Sequence, residues 1–221
     1  TMKKTNLIQY SHPRAGGIIG IKLDDGDSLV EVKMTDNTKD IILATHNGKA
    51  IRFSEKQIRN IGRTGRGVRG MSLKKDDYVI GMEIVQQDGT ILIVTENGFG
   101  KRSNYDEYRV QHRGGQGVIN IQTHERNGNV VGILTVTDGD EFIITTNNGI
   151  TIRQTVKGIS VVGRNTKGVR LIKLDDNDKV SAVAKLPFEE IPKEEGDIID
   201  DDTADDELET EEEPVVEEDN S

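Results

Sequence analysis

Ile41-Ile42-Leu43-Ala44-Thr45-His46-Asn47-Gly48-Lys49-Ala50-Ile51-Arg52-Phe53 reads as an apolar strand, an Asn-Gly turn and a basic return strand. The pattern recurs at Ile91-Leu92-Ile93-Val94-Thr95, followed by Asn97-Gly98 and Phe99-Gly100-Lys101-Arg102. It recurs again at Phe142-Ile143-Ile144-Thr145-Thr146, followed by Asn148-Gly149 and Ile150-Thr151-Ile152-Arg153. The Asn-Gly pairs lie 50 and 51 residues apart, and so do Gly67-Val68, Gly117-Val118 and Gly168-Val169. Two independent markers that keep one period identify an internal repeat. Asn-Gly between strands predicts a type I′ hairpin, with both central residues at positive φ.

Working outward, each basic strand leads through a glycine- and arginine-rich connection to a third strand at the Gly-Val marker. An acidic turn, Lys75-Asp76-Asp77 or Asp175-Asp176-Asn177, leads to a fourth strand over 79–85 or 180–186. No helical period is present. Four short strands in about 50 residues match one propeller blade, and neighbouring blades supply the burial that a small sheet lacks. The expected architecture is all-β and propeller-like. It has a partial first blade over 1–39, blades over about 40–89, 90–139 and 140–188, and a separate segment 189–221. In the partial blade Lys3-Lys4-Thr5 stands for the second strand, and 20–23 and 29–34 for the third and fourth.

The net charge of −10 conceals an asymmetry. Residues 189–221 hold 18 acidic residues and one basic, Lys193, for −17; the remainder holds 28 basic and 21 acidic, for +7. The tail has little to bury and is expected to be disordered, serving as a solubiliser or as a tethered competitor for the basic body. There is no cysteine, hence no disulfide and no thiolate metal site. No apolar run is long enough to span a membrane.

The body's cations cluster on the second strand and the connection after it. The candidates for nucleic-acid contact are Lys49, Arg52, Arg59, Arg63, Arg66 and Arg69 in the first full unit. Lys101, Arg102, Arg109 and Arg113 follow in the second, and Arg153, Arg164, Lys167 and Arg170 in the third. Repetition around an arc places them on one band, and the glycines between them let backbone N–H groups approach phosphate. A band of this kind suits phosphate tracking on duplex DNA without base readout. The competing reading is that the glycines make turns and the charges solubilise loops. Four Tyr, four Phe and no Trp argue against stacking on single strands. His12, His46, His112 and His124 show no ligand spacing. The tyrosines fall in connections or at a strand start. The glycine runs lack the Gly-Lys-Ser/Thr ending of a nucleotide loop.

At Ile61-Gly62-Arg63-Thr64-Gly65-Arg66-Gly67-Val68-Arg69-Gly70, Glu96-Asn97-Gly98-Phe99-Gly100-Lys101-Arg102, Thr123-His124-Glu125-Arg126-Asn127-Gly128 and Val162-Gly163-Arg164-Asn165-Thr166-Lys167-Gly168-Val169, the sequence resembles the C-terminal domains of the DNA gyrase A family. The acidic tail resembles theirs in composition. The resemblance implies a β-pinwheel whose blades exchange strands and whose rim wraps duplex DNA, so that an ATP-driven enzyme introduces negative supercoils. It implies no cofactor in this chain. ATP and Mg belong to other parts of the holoenzyme, and the implied partners are gyrase B and the N-terminal breakage-reunion part of gyrase A. It also implies a cytoplasmic, nucleoid-associated location, no membrane, and a monomeric isolated domain. The family's box, Gln-basic-Arg-Gly-Gly-basic-Gly, has its nearest counterpart at Gln111-His112-Arg113-Gly114-Gly115-Gln116-Gly117, where Gln116 replaces a basic residue. The chain is expected to begin after the blade that carries the box. The related C-terminal domain of topoisomerase IV and a propeller-like protein-interaction platform remain alternatives.

Overall fold

A computed structural model describes residues 1–186. The expected disorder of 189–221 lies outside the described residues. The first full repeat contributes β1 (Asp40–Thr45), β2 (Lys49–Ser54) and β3 (Val79–Ile84). The second contributes β4 (Thr90–Thr95), β5 (Phe99–Asn104), β6 (Val118–Ile119) and β7 (Val130–Val136). The third contributes β8 (Glu141–Thr146), β9 (Thr151–Thr155), β10 (Val169–Arg170) and β11 (Val180–Lys185).

The sheet orders are β3-β1-β2-β6, β10-β5-β4-β7 and β11-β8-β9, all antiparallel. The Gly-Val strand therefore does not complete its own sheet. β6 pairs with β2 of the preceding repeat and β10 with β5. Val68 makes the same exchange with Met2, through backbone hydrogen bonds of 2.9 and 2.8 Å. The partial blade and the first two full blades are thus each closed on the outer edge by a successor, the strand exchange of a β-pinwheel, while the third sheet keeps three strands among the described residues.

Alternation along the first strands explains the cores. Ile42 and Ala44 face Ile91 and Ile93 across the first pair of sheets. Leu92 and Val94, one residue out of phase, face Phe142 and Ile144 across the second. Ile41 and Leu43 pack with Ile51, Phe53 and Ile58, and with Met2 and Val68. A strand buried on both faces needs an unbroken apolar run, which is what the sequence shows. At the hub the inner strands approach closely over glycine. A Cβ at Gly81 would stand 3.0 Å from Ile133, and one at Gly132 would stand 2.5 Å from Val183.

Two local expectations are corrected. The hairpins are not type I′. Gly48, Gly98 and Gly149 alone take positive φ, at 79°, 76° and 83°, while the asparagines do not. Gly48 N–H donates to the Thr45 carbonyl at 3.1 Å, and Gly98 and Gly149 repeat the bond at 3.0 and 3.1 Å. The loop is three residues long, an ordinary turn closed by a glycine bulge. In addition, residues 20–23 and 29–34 form no strand; the first 39 residues hold one 3-10 turn, Leu7–Tyr10, and isolated bridges at Met2 and Lys4. In every complete repeat the last strand pairs with the first strand of its own sheet. The described chain contains no first strand for 29–34, and Val32 and Met34 stand exposed.

Candidate nucleic-acid interface

The basic strand places one arginine at the same position in each repeat, and each meets a carboxylate. Arg52 donates from Nε to Asp40 at 2.9 Å, and from Nη1 to the Tyr105 carbonyl of the next blade at 2.9 Å. Arg102 pairs with Asp138 and donates from Nε to the Ile159 carbonyl at 2.8 Å. Arg153 pairs with Glu141. Their burial differs for a structural reason. The next repeat lies over Arg52 and Arg102, bridging them at Val110 and Val161, whereas Arg153 has no such bridge among the described residues. Arg102 is accordingly 6% exposed in its side chain and Arg153 68%.

The loop arginine is a tie between blades. Arg63, Arg113 and Arg164 occupy one repeat position. Their Nη1 atoms donate to the carbonyls of Ile19, Arg69 and Ile119 at 2.9, 3.0 and 3.1 Å. In each case the acceptor lies one repeat earlier. The guanidiniums remain half-buried.

Lys101 is fully buried. Its ammonium donates to Gly163 O at 2.8 Å, Arg164 O at 2.6 Å and Ser103 Oγ at 3.2 Å, which satisfies all three donors. Burial pushes its pKa down to about 7, opposed by Glu107 and helped by the Arg164 guanidinium. Lys3 makes the same contacts two units earlier, to the carbonyls of Gly62 and Arg63. These lysines shape the next blade's Gly-Arg loop from beneath. In the first full repeat Ile51 replaces the lysine, and it lies beneath Gly115 of the box-like loop.

Lys101 and Arg102 are thus corrected as contacts: the ammonium is buried with its three donors taken, and the guanidinium, 6% exposed, is held by the Ile159 carbonyl and the Asp138 carboxylate, so neither is presented to a phosphate. The marker glycines are also reassigned. A Cβ at Gly67, Gly117 or Gly168 would collide with the carbonyl of Met2, Ala50 or Gly100. They admit the exchanged strand and do not cradle an anion. Tyr105 and Tyr108, expected in surface connections, lie in the core, where burial raises the pKa of Tyr105 to about 12 and that of Tyr108 further.

The candidate cations left facing outward are Arg59, Arg66, Arg69, Arg109, Arg153, Lys167 and Arg170, with Lys49 half-buried. They recur in register. Arg59 and Arg109 share one position, Arg66 and Lys167 a second, Arg69 and Arg170 a third. Arg66 holds a surface pair with Asp24 at 3.0 Å, an interaction weak enough for phosphate to displace. The sequence reading missed Arg126, exposed on the turn after β6. Its signal was available: an arginine stands where the other repeats carry Asp76 or Asp176-Asn177.

Exchanged blades with cations repeated on their outer connections define a propeller-type repeat domain with a positively charged rim. The chain belongs to the DNA gyrase C-terminal domain, beta-propeller, family, whose model matches residues 1–36, 39–86, 89–137 and 140–187. It is 42% identical over 200 residues to the DNA gyrase A protein of Salmonella typhimurium, covering 90% of this chain and 23% of that protein. It is 46% identical over 185 residues to the corresponding protein of Clostridium acetobutylicum, covering 84% and 22%. The chain therefore spans under a quarter of the length of these curated relatives. Among solved structures, the C-terminal domain of DNA topoisomerase IV matches with a TM-score of 0.78 and 28% identity, over 83% of this chain and 58% of that one. The DNA gyrase A C-terminal domain matches at 0.72 and 29%, over 78% and 59%.

Proposed function

We propose that the chain binds the phosphate backbone of duplex DNA along its rim and wraps it, as the DNA-handling part of a gyrase-type topoisomerase. The observation that carries this reading is the recurrence of outward cations at equivalent repeat positions: Arg59 and Arg109 in successive blades, Arg66 with Lys167 and Arg69 with Arg170 two blades apart. A periodic, sequence-blind charge array suits a periodic polyanion. Arg63, Arg113 and Arg164 hold adjacent blades together and so hold the array in register. On this reading gyrase B and the breakage-reunion part of gyrase A are partners, and ATP and Mg act there. The segment 189–221, at −17, competes locally for the rim. A second reading, suggested by Gln116 in the box-like loop where the family's box carries a basic residue, is a rim that binds DNA without wrapping it.

Titrating a random duplex at several salt concentrations tests binding. If six phosphates are neutralised, log K falls against log salt with a slope of roughly −5. A slope near zero sinks the DNA reading. Resealing a nicked circle on the bound protein separates the two readings, because wrapping leaves a change in linking number and simple binding leaves none.

A further inference from the structure

The turn Thr123–Gly128 is fastened to the rim loop of the next repeat. Asn127, 2% exposed, donates from Nδ2 to the carbonyls of Gln122 and Lys167 at 2.8 and 3.0 Å. The Gln122 N–H donates to Thr166 O at 2.9 Å, and its side chain donates to Asn165 Oδ1 at 3.0 Å. Arg126, exposed on this turn, is therefore carried with residues 165–167 although it belongs to a different blade.

Its guanidinium lies 5.2 Å from the centre of the Phe99 ring. That of Arg170, on the exchanged strand β10, lies 5.4 Å from the same centre. Neither is in an ion pair among the described residues, whereas Arg52, Arg102 and Arg153 each have a carboxylate. Two like charges are thus gathered on one ring with no carboxylate paired to either among the described residues. The ring's negative face offsets part of their repulsion. The remaining field calls for an anion, and planar guanidiniums pair best with phosphate or carboxylate oxygens.

We propose that Arg126 and Arg170, seated on Phe99, form a phosphate clamp for the DNA backbone at the seam between the second and third repeats. This rests on the DNA-binding reading of the rim. One strand of duplex carries a charge per roughly 3.4 Å of axis, so two groups gathered on one ring can take neighbouring phosphates of that strand. The first seam has no counterpart: Lys49 and Ile119 pair where Phe99 and Arg170 do. In its turn Asp77 accepts hydrogen bonds from the N–H groups of Asn47 and Tyr78. Contacts around the arc are therefore unequal, and the second seam grips the backbone most firmly.

The test uses the whole chain and a random duplex of about 40 base pairs, long enough for the salt slope to count contacts. Arg126→Ala and Arg170→Ala should each make the slope shallower by about 0.9. Phe99→Leu should weaken binding at an unchanged slope. Arg126→Lys should restore the slope without the full affinity, since an ammonium keeps charge but not stacking. A wild-type slope and affinity in Arg126→Ala, beside a reduced slope in Arg59→Ala, overturns the clamp and leaves the rim standing. Absence of salt-dependent binding by the unaltered chain overturns both. Inorganic phosphate probes the other source of the same chemistry. If it binds in an Arg126-dependent way while Arg126→Ala leaves DNA affinity unchanged, the site takes a free phosphate and the clamp is wrong.

Discussion

A cation in this domain is defined by what it touches. Lys101 and Arg102 are neighbours on one strand, and both point into the fold against carbonyls of the next blade. Arg59 and Arg109 occupy one repeat position and face outward. Sequence shows where the charges recur and not which of them the next blade covers, since covering depends on a partner about 50 residues away. Lys101 makes the distinction measurable. Its folded value, about 7, lies below the 10.5 of an unperturbed lysine. Between those values the unfolded chain holds a proton that the folded chain has lost, so stability must rise with pH through that window. Each unit of difference is worth about 1.4 kcal/mol. Lys101→Met keeps the length and removes the titration. Denaturant unfolding between pH 7 and 9 should show stability rising in the unaltered protein and a flatter profile in the variant. Parallel profiles would mean that the three acceptors hold the ammonium charged despite its burial.

At the scale of strands and turns, the apolar runs and the phase of the repeat were legible, because a strand buried on both faces leaves no polar position in its sequence. The exchange of β6 and β10 was not legible from the residues, since a two-residue ladder carries no sign of which sheet it joins. The turn was misread because the loop begins one residue before the Asn-Gly pair, at His46, Glu96 and Asn147. Glycine marks both features and serves a different purpose in each. Gly149 has φ +83° and open space around a Cβ, so Gly149→Ala costs only the left-handed backbone, about 1–2 kcal/mol. Gly117 has φ +71°, and its Cβ would run into the Ala50 carbonyl. Gly117→Ala adds that collision to the same backbone cost and should expel β6 from the sheet of β2. Hydrogen exchange is the readout. The Ala50 and Val118 amides should lose protection in Gly117→Ala, while Gly149→Ala leaves them protected. Equal protection in both variants would show that the exchanged strand tolerates a side chain at the marker.

The whole molecule sets a basic body of +7 against an acidic segment of −17. On the proposed reading, covalent attachment raises the local concentration of that segment around the body, an effect on the order of millimolar where a linker is short and flexible. A polyanion so tethered would, on that reading, compete with DNA at any protein concentration. It competes most strongly where charges act over distance, and the Debye length shrinks from about 30 Å at 0.01 M salt to about 10 Å at 0.1 M. Deleting 189–221 should therefore tighten duplex binding at low salt, with the gain shrinking as salt rises. The variant's log K should fall more steeply with log salt, because the intact chain enters the equilibrium with part of its rim already neutralised. Neutralising the segment by Asp→Asn and Glu→Gln exchanges should reproduce the deletion, which separates charge from bulk. If truncation leaves affinity unchanged at every salt concentration, the segment does not reach the rim. If truncation tightens binding but the neutralised segment does not, excluded volume is the cause, and the charge asymmetry plays no part in how the rim meets DNA.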